Sequence, residues 1–219
     1  MGKEVLKRAL NMVKIEPFEK YPRRYDKWFV GHRFAYESEL RAIKELLPIG
    51  MGIEIGVGTG RFAKPLGIDI GLEPSREMSK IARKRGINVI SGVAEKIPFK
   101  DSTFDFELMV TTLCFLDNVE EAFREVYRTL RVGGYFINGF VDRESFLGRI
   151  YEKNREINPF YKFANFYSVD EVVFELKGVG FKNFKYNQTI FHGLSDIKKV
   201  EPVKPGYGEG SFIVVRAEK

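Results

Sequence analysis

Apolar and polar positions along this chain form two kinds of run that take turns. Short, nearly continuous apolar stretches occupy 51–55, 67–72, 87–91, 104–111 and 135–141. They are rich in β-branched and aromatic residues, which suits strands buried on both faces. Between them, apolar residues recur every three or four positions. The clearest case is 118–130, NVEEAFREVYRTL, which sets Val119, Ala122, Phe123, Val126 and Leu130 on one helical face before Gly133 and Gly134 end it. Residues 60–66 and 75–85 predict two further helices, the second capped by Ser75. A helix over 37–47 turns Leu40, Ile43, Leu46 and Leu47 inward and stops at Pro48 and Gly50. This alternation predicts a parallel sheet with helices on both faces and a ligand beyond the carboxyl ends of the strands.

The flanks read differently. Residues 3–15 predict a helix with Val5, Leu6, Leu10 and Val13 on one face, and 16–36 an aromatic-rich connector. Residues 144–167 turn from polar-helical to aromatic. Residues 168–178 predict a helix opened by a capping box, Ser168 with Glu171. Two last strands, 181–191 and 211–217, enclose a loop with Pro202, Pro205, Gly206, Gly208 and Gly210, long enough for a lid or a loose tip. There is no internal repeat.

Composition narrows this little. The chain has 219 residues, 44% hydrophobic and 30% charged, as an ordinary globular domain has. Its single cysteine, Cys114, cannot close an internal disulfide, so a cytoplasmic setting is expected. The N-terminus lacks the apolar segment of a signal peptide, and no run is long enough to span a membrane. The net charge of +6 permits a nucleic-acid partner, but the basic residues are scattered among 30 acidic ones, so none is expected. Abundant charge with one glutamine, Gln188, resembles a thermophile's surface.

The chemistry gathers at 52–62, GIEIGVGTGRF. Ile53 and Ile55 suit a buried strand, and Glu54 between them carries a charge that needs a partner. Gly56, Gly58 and Gly60 follow at a spacing of two, and glycine lets a ligand approach the backbone closely. A dinucleotide fingerprint would need a third glycine where Arg61 stands, which argues against a nicotinamide oxidoreductase. Four further segments fall in register. They are Glu73-Pro74-Ser75 after the second strand, GVAEKIPF at 92–99, FDFELMV leading to Thr111-Thr112-Leu113, and RTLRVGG before the fifth strand.

In this order the chain resembles the class I S-adenosylmethionine (SAM)-dependent methyltransferases, and within them the small-molecule group similar to ubiquinone and menaquinone C-methylases. The resemblance covers about 50–141, and more loosely 165–185. It implies an α/β fold built on a doubly wound, seven-stranded, mostly parallel sheet with a helical N-terminal cap. A single domain over 1–219 would divide into cap (1–48), SAM-binding half (49–141), and substrate-side helices with closing strands (142–219). The resemblance further implies that Glu54 helps bind the amino group of SAM and that Gly56, Gly58 and Gly60 wrap its methionine moiety. Glu73, followed by Pro74, would bind the ribose. Met78 would line the adenine pocket, Ala94 and Glu95 would lie beside the adenine amine, and the Thr111 backbone would face the methionine end.

The chain also departs from the pattern. Glu73 follows Gly56 a few residues sooner than usual, so the ribose acid could be displaced. Val93 stands where many relatives have aspartate, and Val132 where they have proline. Cys114 and Phe115 stand where a histidine often follows the fourth strand, which leaves no obvious base. Residues 158–161 read Asn-Pro-Phe-Tyr, near the motif of adenine-N6 methyltransferases, but after the wrong strand. His32 and His192 match no zinc spacing, and no metal is expected.

For the acceptor, the aromatic flanks supply candidates: Tyr25, Trp28 and Tyr36 from the cap, and Phe115 after the fourth strand. Tyr151, Phe160, Tyr161, Phe163, Phe166 and Tyr167 follow the fifth. Such rings suit an apolar or cationic acceptor, or simply a cap with its own small core. Asp142 and Arg143 could meet a polar acceptor. The expected reaction is methyl transfer to a small molecule by in-line displacement. An RNA or protein methyltransferase, and a SAM-binding module without catalysis, remain as alternatives.

Overall fold

The computed structural model describes residues 14–219, so most of the helix expected over 3–15 lies outside the described residues. Residues 14–20 are helical (α1), followed by α2 (Pro22–Gly31) and α3 (Arg33–Lys44). The expected connector over 16–36 is therefore helical. Pro22 opens α2 at a position where its missing N–H is not needed. Tyr25, Trp28, Phe29, His32 and Tyr36 then recur at three- and four-residue steps, a helical face that the prolines obscure.

The elements that follow are β1 (Gly52–Ile55), α4 (Ala63–Leu66), β2 (Ile70–Leu72), α5 (Arg76–Lys84), β3 (Asn88–Ile90) and β4 (Phe104–Val110). Then come α6 (Val119–Thr129), β5 (Leu130–Val141), α7 (Phe146–Lys153), α8 (Val169–Val179), β6 (Lys182–Thr189), β7 (Lys204–Pro205) and β8 (Phe212–Glu218). One sheet runs β3-β2-β1-β4-β5-β8-β6-β7. The first five strands pair in parallel, and β8 lies antiparallel between β5 and β6. This is the expected doubly wound sheet with one two-residue strand added. The chain order reverses at β1 and β4, which places a crevice beyond their carboxyl ends.

Each face of the sheet has its own core. On one, Ile53, Ile55, Phe123, Phe136 and Phe140 pack beneath α6 and α8. On the other, Ile43, Leu108, Ile137, Phe212 and Val214 pack with the cap, α4 and α5. Each fully buried side chain of this size is worth about 1.5–3 kcal/mol. Ser168 and Glu171 form the expected capping box at the start of α8. The glycines expected to end α6 instead shape the start of β5, where Gly133 takes φ +77° and the pairing with β4 shifts register.

The loop expected as a lid or loose tip is pinned to the body. The Glu201 N–H donates to Ser38 Oγ at 2.8 Å, and the Glu201 carboxylate receives the Phe191 N–H and pairs with His192. The Thr189 hydroxyl donates to the Pro202 carbonyl, and Gln188 Oε1 receives the N–H groups of Glu209 and Gly210. Among the described residues, no helix is long and apolar enough to cross a membrane, and no cluster of potential metal ligands is present.

Candidate active site

The glycine loop after β1 is fastened to the end of β2: the N–H groups of Gly56 and Val57 both donate to the Leu72 carbonyl, at 2.8 and 3.0 Å. Gly56, Gly58 and Gly60 all take positive φ (69°, 55° and 78°), which side chains rarely tolerate. A Cβ on Gly56 would stand 2.3 Å from Thr112 Oγ1, and one on Gly58 would point at Met78 and Tyr25. At Gly56 the loop thus packs too closely on Thr112 to admit any side chain.

The cleft beside this loop, its open mouth included, holds about 750 Å³ of empty space. Gly56, Gly58, Glu73, Pro74 and Met78 form one side. Val93, Ala94 and Glu95 form another, and Thr111, Thr112 and Phe115 close it towards β4. From the cap, Lys14, Phe18 and Tyr25 reach over it. Lys14 Nζ holds the Leu116 carbonyl at 2.7 Å and Asp117 at 2.9 Å, tying α1 to the loop after β4.

Glu73 sits in this cleft at 6% exposure. One carboxylate oxygen receives the Gly58 N–H and the other the Ser75 N–H, both at 2.8 Å. Burial drives its pKa up, those two hydrogen bonds pull it back, and the result is about 7. Each oxygen keeps a free lone pair, so the carboxylate can accept from a vicinal diol. The short spacing from Gly56 has not displaced it. The shortening is absorbed by α4, a single turn ended by Gly67 at φ +74°.

A charge cluster that the sequence analysis did not single out locks the cap to the glycine loop. Asp26 on α2 receives Arg61 through Nε and Nη2 at 2.9 and 2.8 Å, Arg85 Nη2 at 2.8 Å and the Thr59 hydroxyl at 2.8 Å. Burial opposes the charge on Asp26, but the hydrogen bonds from Arg61, Arg85 and Thr59 outweigh it and hold the carboxyl far below the usual range. Arg61, standing where a dinucleotide site needs glycine, is thus a strut between cap and loop. These residues lie far apart in the chain and carry no local pattern.

Behind Thr111 lies a second, aromatic chamber lined by Cys114, Phe140, Tyr151, Tyr161, Phe166 and Tyr167, with Thr111 shared between chamber and cleft. Thr111 takes φ +51°, a strained setting for a threonine, and its N–H donates to the Gly139 carbonyl at 2.8 Å. A run of ring contacts joins the two spaces. Phe18 meets Phe115 at 5.0 Å, Phe115 meets Tyr161 at 6.3 Å, and Tyr161 meets Tyr151 at 5.0 Å between centroids. Burial pushes the Cys114 thiol up to about 12, which disfavours the thiolate form.

The remaining expected site residues divide between the cleft and the structure around it. Glu54 does not line the cleft. It is buried below the loop and accepts the Ala63 N–H, and its pKa is raised chiefly by burial. Gly60 faces α5, where a Cβ would crowd Ile87 and Ala82. Glu95 lines the cleft, but its Oε1 is already engaged by the N–H groups of Asp117 and Asn118. Of the acceptor candidates, Tyr25 and Phe115 reach the cleft, and Trp28, Tyr36, Asp142 and Arg143 reach neither cleft nor chamber. Trp28 stacks on His32 at 4.6 Å, and the Tyr36 hydroxyl donates to the Arg61 carbonyl. Asp142 receives the Glu144 N–H ahead of α7, and Arg143 pairs with Glu171 at 2.9 Å. Both are spent on local structure.

A doubly wound sheet, a glycine loop at its switch point and a buried acid after β2 define a nucleoside-binding α/β enzyme of the methyltransferase type. The comparisons make this specific. Residues 53–138 match the family model described as a methyltransferase domain. The uncharacterized protein MJ1123 of Methanocaldococcus jannaschii is 52% identical over 202 residues, covering 92% of this chain and 98% of that one. A Thermotoga maritima crystal structure, described as a SAM-dependent methyltransferase and possible histamine N-methyltransferase, superposes with a TM-score of 0.92 at 56% identity. It covers 94% of this chain and 99% of that one. A demethylmenaquinone methyltransferase of Roseiflexus castenholzii is 35% identical over 96 residues, 39% of this chain and 40% of that protein. The chain belongs to the class I SAM-dependent methyltransferases, and S-adenosylmethionine is its cofactor.

Proposed function

We propose that this enzyme methylates a small-molecule acceptor seated in the aromatic chamber, with SAM held in the adjoining cleft. The observation that carries this reading is the chamber itself. It is an aromatic-lined space of about 360 Å³, its open mouth included, that touches the cleft at Thr111, and its ring-lined walls suit a small ligand or head group. The cations around the cleft support it too. Lys14, Arg61 and Arg85 are each bound to an acid rather than offered to a phosphate backbone, which disfavours an RNA acceptor. The Thermotoga maritima relative's description names a small amine, in keeping with an acceptor of this size.

Glu73 would hold the ribose, Gly56 and Gly58 the methionine portion, and Met78 and Ala94 the adenine, with Glu95 beside it. Glu54 supports the loop from below. SAM supplies an electrophilic methyl group on a sulfonium. The chain's own share is to align the acceptor atom with that methyl and to keep water out. Phe18, Tyr25 and Phe115 exclude water at the cleft, and Tyr151 and Tyr161 position the acceptor behind Thr111. An acceptor that arrives neutral needs no dedicated base.

The test pairs calorimetric titration with S-adenosylhomocysteine (SAH) with mass-spectrometric detection of methyl transfer from SAM. The panel contains small amines including histamine, quinols, transfer RNA and a peptide mixture. Micromolar SAH binding and methyl transfer to a small molecule are expected. Methylation of RNA or peptide alone would overturn the reading, and SAH binding without any transfer would favour a non-catalytic module.

A further inference from the structure

We propose that α1 is a strap latched across the cofactor cleft, and that S-adenosylmethionine enters and its product leaves only when the latches let go; this holds whatever the acceptor is. Ile15 and Phe18 of α1 form part of the cleft lining. Two of its other side chains reach opposite walls. On the β4 side, Lys14 Nζ donates to the carbonyl of Leu116, itself a lining residue, at 2.7 Å and pairs with Asp117 at 2.9 Å. On the far side, the Glu19 carboxylate accepts the N–H of Arg76, which opens α5 two residues after the lining residue Pro74. Between the two latches the Phe18 ring meets Phe115 at 5.0 Å, Phe160 at 5.5 Å and Tyr25 at 5.6 Å.

The next helix is held quite differently. Asp26 clasps α2 to Arg61 of the glycine loop and to Arg85 beyond α5, both at 2.8 Å. The joint between α1 and α2 lies at Tyr21, whose φ of −127° and ψ of 40° leave helical geometry. Pro22 follows and has no N–H to donate back into α1. α1 can therefore swing about Tyr21 while α2 stays in place, as a hinge of one or two residues permits.

With both latches closed, the strap spans the cleft from wall to wall. A ligand as long as a nucleoside with an amino-acid tail must then slide beneath it. Release of either latch widens the entrance without disturbing the sheet or the glycine loop. The latches are side-chain contacts, an ion pair and a charge-assisted hydrogen bond, and such contacts break locally at far lower cost than the core. Closure of this kind keeps water out while the methyl moves and makes product release wait for opening.

The test measures association and dissociation of tritiated SAH by rapid filtration, for the full chain and for Lys14→Met, Glu19→Ala and the double variant. A gate speeds both directions together. Each single variant should exchange SAH about three-fold faster, as loss of one partly exposed contact implies. The double variant should be about ten-fold faster both ways, with affinity changed less than about three-fold. Hydrogen exchange at 14–20 should be slowed by SAH in wild type and quickened in the variants. All variants should melt within about 4 °C of wild type. A double variant that binds SAH no faster than wild type overturns the proposal. So does faster dissociation without faster association, which would make Lys14 and Glu19 mere props of the wall. A double variant that melts far lower with unchanged exchange at 14–20 would mark the contacts as structural and overturn it too.

Discussion

The glycine-loop cleft and the aromatic chamber share Thr111 but are built by opposite means. The cleft is made largely of backbone: glycines at positive φ, N–H groups fixed to Leu72, and a carboxylate held by Gly58 and Ser75. The chamber is made of side chains, chiefly rings that meet at 5–6 Å. Backbone geometry serves one cofactor for every member of a family. Side-chain walls can be exchanged singly, so an acceptor can change while the cofactor site stays.

This contrast can be broken at several points. The largest effect is expected from Glu73→Ala, which removes two charge-assisted hydrogen bonds from the loop and any bond to ribose. SAH affinity should fall about 100-fold, or about 2.7 kcal/mol, by calorimetry. An unchanged affinity would mean that the glycine backbone suffices. Next is Asp26→Ala, which leaves Arg61 and Arg85 unpaired between cap and loop. A fully buried pair would cost 3–5 kcal/mol to break. Screening of this partly exposed cluster lowers the expectation to about 2 kcal/mol, read from chemical unfolding.

Glu39 makes a smaller, pH-dependent contribution. Its folded pKa, about 8, lies above the 4.5 of an unperturbed glutamate. Its stability contribution is therefore present below about 4.5 and lost as pH rises through about 8. Melting temperature should decline between about pH 5 and 8, and Glu39→Gln should flatten part of that decline. Glu54, Glu73 and Glu107, also raised by burial, should sustain much of the remainder. The smallest effect belongs to Arg143→Ala, expected to leave turnover within about two-fold and stability within about 0.5 kcal/mol. A large loss of turnover would return Arg143 to the acceptor site.

Much of the fold was legible because it depends on local periodicity. The five parallel strands follow from short apolar runs, α6 from side chains that repeat at 3.6 residues, and the capping box from a serine followed three residues later by a glutamate. The helical turns over 22–36 were obscured by Pro17 and Pro22, although the spacing of Tyr25, Trp28, Phe29 and Tyr36 was helical, whereas the rest of α3 fell within the helix expected over 37–47. A sign of Glu39 was also present, as an acid on the same helical face as Ala35, Ala42 and Ile43. Trp28, Tyr36, Asp142 and Arg143 were plausible by type and by neighbourhood, but neither says which way a side chain turns.

By itself, the sequence determined the alternation of strands and helices, the glycine turn at the switch point and the acid one strand later. Those features rest on φ preferences and on which side chains must be buried, and both are properties of short segments. Only the tertiary structure decided that Asp26 clasps Arg61 and Arg85, that the loop after β6 is pinned rather than free, and that the Tyr36 hydroxyl reaches the Arg61 carbonyl. Each of these joins segments distant along the chain. Their partners are chosen by how the helices settle on the sheet, and no pattern within one segment records that choice.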